Sequence, residues 1–64
     1  MKVTVDILHT LARVEGRRHP RLKQDIDDVV VFALENIRDG ADAEAEIDEA
    51  IQEIEYLIEI GDPQ

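Results

Sequence analysis

The sequence predicts an all-α fold: a small three-helix bundle, with helices near residues 5–15, 20–38 and 43–60, completed by dimerisation. Three observations lead there. Glycine punctuates the chain at Gly16, at Asp39-Gly40 and at Gly61-Asp62-Pro63, and a glycine just past the last periodic residue is a common helix stop. Between these stops the apolar residues recur at helical spacing. Finally, 64 residues make one small domain, residues 1–64, with a marginal core. The chain has no cysteine, so neither a disulfide nor a thiolate metal site can reinforce that core, and a homodimer is the expected staple.

The first segment has two local patterns. Lys2-Val3-Thr4-Val5-Asp6-Ile7 alternates like a short strand over residues 2–6, whereas Ile7, Leu8, Leu11, Ala12 and Val14 read as a helix. A lone strand needs a partner and the chain offers none elsewhere. The helix is therefore expected to start near Thr4, unless the strand pairs across a dimer. The second segment opens at Pro20, which suits a first helical position. Leu22, Ile26, Val29, Val30, Ala33 and Ile37 form its stripe, and Phe32 and Leu34 widen it. A stripe that wide predicts a central helix contacted on two sides.

The third segment is the most regular. Asp42 is a good N-cap, and Glu44, Glu46, Asp48 and Glu49 follow in the first turns, where the helix dipole favours negative charge. Ala43, Ile47, Ala50, Ile51, Ile54, Leu57 and Ile58 gather on one face. A helix over 43–60 would be about 27 Å long at 1.5 Å per residue. The tail Asp62-Pro63-Gln64 is expected to fray.

Charge is segregated. The net charge is -9, yet residues 1–38 hold all seven basic residues against six acidic ones, a balance of +1. Residues 39–64 hold ten acidic residues and no basic ones, a balance of -10. The second half would be repelled by nucleic acid or an anionic membrane. The longest apolar run, Val29 to Leu34, is far too short for a membrane span, and no signal-peptide pattern precedes it. A soluble, cytoplasmic chain without membrane contact is expected.

Catalysis is not expected. Serine and cysteine are absent, and Thr4 and Thr10, the only aliphatic hydroxyls, lie in no nucleophile motif. No glycine loop is present to cradle phosphate. His9 and His19 have no second ligand at metal-binding spacing. Asp42 to Ile47 faintly resembles a calcium loop but carries Ile47 where such a loop needs glycine. Neither a cofactor nor a metal is therefore expected.

Three constellations remain as candidates. On the third helix, Glu44, Asp48, Glu55 and Glu59 share one flank, and Glu46, Glu49 and Glu53 share the other. Such a charged face is most often merely solvated. The sharper reading is a docking surface for another protein with a basic surface, approached quickly under electrostatic steering. Tyr56 and Ile60, with Ala45, lie opposite the core stripe beside Glu49, Gln52 and Glu53, and an exposed Tyr among acids suits an interface anchor. The expected partner-binding set is thus Glu46, Glu49, Glu53, Tyr56 and Ile60. Val31 is a further exposed apolar candidate.

The third constellation is basic. Arg13, Arg17, Arg18, His19, Arg21 and Lys23 surround the first turn. Arg17, Arg18, Arg21 and Lys23 would contact nucleic acid or a second subunit, though Asp25, Asp27 and Asp28 follow at once and would repel phosphates. Lys2-Val3-Thr4-Val5, a short helix, Glu15-Gly16-Arg17 and a second helix resemble ribbon-helix-helix repressors. That resemblance implies an obligate dimer with strand side chains in the DNA major groove, and it extends to antitoxins with an acidic C-terminal segment that wraps a toxin. Two features depart from it: a short first helix, and Asp6 where a basic residue would serve.

The reading that best unites these features is a non-enzymatic protein-binding module, an inhibitor or adaptor of a partner that itself handles nucleic acid. In size and charge the chain resembles small acidic inhibitors encoded by viruses or mobile elements. The alternatives are a DNA-binding ribbon-helix-helix or helix-turn-helix protein, and a structural oligomerisation unit.

Overall fold

The computed structural model describes residues 4–61 as three α-helices joined by short turns. Helix α1 spans Val5–Arg18, α2 spans Lys23–Arg38 and α3 spans Ala43–Gly61, and a 3-10 turn at Pro20–Leu22 leads into α2. The three-helix, all-α architecture is as the periodicity predicts.

Each boundary has a local cause. Thr4 is the N-cap of α1: its backbone is extended and its hydroxyl accepts from the Ile7 amide at 3.3 Å. The helix therefore starts near Thr4 as expected, and the alternative strand is not formed at residues 4–6; residues 1–3 lie outside the described residues, as do Asp62 to Gln64. The N-cap supplies an acceptor within the chain, whereas a strand there would have no neighbour to pair with.

Gly16 does not stop α1. It is buried within the helix, which runs on to Arg18. The stop comes instead from Pro20, which disfavours helical backbone in the residue before it. His19 accordingly sits at φ -130 and ψ 72, with its amide donating to the Glu15 carbonyl at 2.9 Å. Pro20 starts the 3-10 turn rather than α2 itself, and the Leu22 amide closes that turn on the His19 carbonyl at 2.9 Å.

The turn after α2 is a Schellman motif. The Ala41 amide donates to the Asn36 carbonyl at 2.9 Å and the Gly40 amide to the Ile37 carbonyl at 3.0 Å. Gly40 has φ 105, a conformation that side-chain-bearing residues rarely adopt. Asp42 then caps α3, its carboxylate accepting from the Ala45 amide at 3.0 Å.

The core is wholly aliphatic: Leu8 and Ala12 from α1, Leu22 from the 3-10 turn, Ile26, Val30 and Ala33 from α2, and Ile47, Ala50 and Ile54 from α3. Ala12, Ala33 and Ala50 leave room for close helix approach around Leu8, Ile26, Ile47 and Ile54, the largest fully buried side chains. Helix α2 packs against both other helices more extensively than they pack against each other, so it is the central helix. Ile7 and Val14 of α1, Phe32 of α2 and Ala43 in the first turn of α3 are exposed although they lie on the expected apolar stripes. Phe32 is 68% exposed, because it stands on the shoulder of α2 beyond the reach of α3.

Two glycine variants separate these backbone roles. Gly40→Ala is expected to destabilise by about 1 kcal/mol or more, since alanine is strained at positive φ. Gly16→Ala is expected to stabilise by about 0.5–1 kcal/mol, because a Cβ there meets only the flexible Lys23 stem at 3.4 Å and the helix gains propensity. Urea unfolding of both variants measures the two signs. In the core, Ile54→Ala is expected to cost about 2–5 kcal/mol.

Candidate functional site: an acidic groove with an exposed phenylalanine

Helices α2 and α3 leave an open groove of about 350 Å³ between them on one flank. Its floor is apolar, formed by Val29, Ala33 and Ala50. Phe32 stands on its α2 wall, and Asp28, Glu46, Glu49 and Glu53 surround it. Four carboxylates thus rim an apolar trough that contains a largely exposed aromatic ring.

The sequence explains the placement. On α2, Asp28 and Phe32 are four residues apart and share one shoulder. On α3, Glu46, Glu49 and Glu53 follow at three- and four-residue spacing and share the shoulder that faces it. Two of the carboxylates have partners within the chain. The Asn36 amide nitrogen donates to Glu46 at 2.7 Å, tying α2 to the start of α3, and the Gln24 amide donates to Asp28 at 2.9 Å. Glu49 and Glu53 are exposed and complete the rim from α3.

The structure therefore brings three of the five expected partner-binding residues, Glu46, Glu49 and Glu53, to one groove. Tyr56 and Ile60 are each 56% exposed and lie further along α3, outside the groove lining. The sequence reading missed Phe32 and Asp28. Spacing places Phe32 on the widened apolar stripe of α2, but at its edge, beside Asp28 and Glu35.

Two of the four basic candidates share a groove. Arg17 and Lys23 line a second groove, of about 880 Å³, between α1 and α2, together with His9, Arg13 and Val31. Arg18 and Arg21 are exposed but lie outside its lining. Lys23 pairs with Asp27 at 2.9 Å and Arg18 with Glu15 at 3.4 Å. These cations are thus partly balanced by carboxylates of their own helices, although exposed pairs of this kind contribute little to stability.

Among the described residues no helix is long and apolar enough to cross a membrane, and no group of three or more His, Asp or Glu is arranged to hold a metal ion. Comparison of the chain with protein-family models, with curated proteins and with solved structures finds no match.

The Asn36–Glu46 bond joins two helices across a partly buried position, so Asn36→Ala is expected to cost about 1–2 kcal/mol in chemical denaturation. Phe32→Ala, by contrast, removes a ring that buries little and is expected to change stability by less than about 0.5 kcal/mol.

Proposed function

We propose that the chain is a non-enzymatic protein-binding module that receives a basic partner protein in the α2–α3 groove. The observation that carries this reading is Phe32, 68% exposed within a rim of four carboxylates. Both aromatic residues of the chain, Phe32 and Tyr56, are left outside an aliphatic core. In a domain this small, burying either ring would add about 1.5–3 kcal/mol of stabilisation, so their exposure favours a role in recognition.

The proposed mode joins two forces. The carboxylates draw a cationic surface into register and set a fast, salt-sensitive encounter. The apolar floor and the phenyl ring then desolvate an apolar side chain of the partner, which slows dissociation. Glu49 and Glu53 make the exposed ionic contacts, Phe32 is the anchor, and Tyr56 and Ile60 extend the contact toward the end of α3. Glu46, held by Asn36, keeps the trough in shape. Such a module acts as an inhibitor or adaptor in the cytoplasm without cofactor, metal or catalytic group. A nucleic-acid-handling protein, whose binding surface is basic, is the kind of partner that this charge pattern fits.

The test is affinity capture from lysate with wild type, with Phe32→Ala and with Glu49→Lys/Glu53→Lys, followed by calorimetry with the purified captured protein. The expected result is a basic partner bound by wild type, with affinity about tenfold or more weaker for each variant, as for loss of an interface anchor. Equal binding by wild type and Phe32→Ala would overturn the groove as the site and leave only a solvating acidic face.

A further inference from the structure

Helix α1 has an outer face that neither other helix covers. Ile7, Leu11 and Val14 fall within roughly 60° of one another at 100° per residue, an i, i+4, i+7 stripe. Ile7 is 40% and Val14 42% exposed, and Leu11 is half-buried between them. With Asp6 and Thr10 these residues line a shallow surface depression of about 410 Å³. This face is separate from the acidic α2–α3 groove.

The charges beside the stripe are arranged by position. Asp6, Arg13 and Arg17 share one shoulder, within roughly 40° around the helix. The acid lies in the first turn of α1, and one of the two arginines lies in the last turn. A parallel pairing of two such helices would carry the two charged shoulders to opposite sides of the seam, so that Asp6 met neither arginine of the other copy. An antiparallel pairing does the opposite. With a two-fold axis between Thr10 and Leu11, Ile7 of each copy meets Val14 of the other, and Leu11 packs near the axis. Asp6 then lies level with residue 15 of the second copy, about 3 Å along the axis from Arg13 on one side and from Arg17 on the other. Flanking residues on the same shoulder meet in an antiparallel pair, so the acid sits between two cations. The helix dipoles also oppose, which is favourable.

We propose that α1 is a homodimer seam, on which a second copy of this chain docks antiparallel through Ile7, Leu11 and Val14, with Asp6 paired to Arg13 and Arg17 of that copy. The contact is self-complementary, as a two-fold interface requires. The stripe is short against the roughly 800 Å² per partner of a standard interface, so the dimer is weak and depends on concentration. The assembly leaves both acidic grooves facing away from the seam and doubles their number, so that a partner with repeated basic segments would be held with added avidity.

The experiment is sedimentation equilibrium from micromolar to millimolar chain, with helicity checked by circular dichroism. Wild type is expected to show a monomer–dimer equilibrium, and Ile7→Glu/Val14→Glu to remain monomeric. A charge series covers the case in which that double variant unfolds, because all three of its sites are exposed. Asp6→Arg alone is expected to weaken the dimer about tenfold, and Asp6→Arg/Arg13→Asp/Arg17→Asp to restore it. Phe32→Ala is expected to leave the dimer unchanged, which separates this seam from the partner groove. A wild type that stays monomeric to millimolar concentration would overturn the proposal. So would a dimer that survives Ile7→Glu/Val14→Glu in folded form, or a triple variant no stronger than Asp6→Arg.

Discussion

Everything in this molecule depends on the contact that α2 makes with both of its neighbours at once. Leu8, Ile26, Ile47 and Ile54 meet as the fully buried aliphatic side chains, with alanines between them to let the helices approach. No polar or charged residue among those described is buried in this core, so its packing is set by shape and apolar area, and the Asn36–Glu46 bond joins α2 to α3 at its edge. A core of this size occupies only the middle of each helix face. The shoulders of α2 remain uncovered, and one groove opens toward α3 and another toward α1.

The division of charge along the chain thereby becomes a division in space. The groove on the α3 side is rimmed by Asp28, Glu46, Glu49 and Glu53, and the groove on the α1 side carries His9, Arg13, Arg17 and Lys23. The adjacent residues Val31 and Phe32 line different grooves, because one residue step turns a helix by about 100°. The two grooves thus differ in charge and share no lining residue. On the first helix a finer segregation, acid at one end and arginines toward the other, fits the outer stripe to a second copy of itself.

Much of the fold was legible in the residues. The third helix was plain because Asp42 caps it and isoleucines recur at three and four residues. The second turn was plain because Gly40 is needed for its left-handed backbone. The first boundary was misread because glycine and proline compete there: Gly16 can end a helix but does not force an end, whereas Pro20 constrains the residue before it. The candidate site was half legible. Periodicity sorted Glu46, Glu49 and Glu53 onto one shoulder, but it could not show that Asp28 and Phe32 of another helix face them.

The sequence by itself determined three amphipathic helices, their approximate limits and the acidity of the third, because these follow from local spacing, capping and composition. Only the tertiary structure decided that Phe32 is a surface residue and that α1 keeps an uncovered apolar stripe. The reason is that a residue at the edge of an apolar stripe is buried or exposed according to how far the neighbouring helix reaches. That reach is set by how the buried residues of all three helices pack together in one cluster, which no single helix encodes.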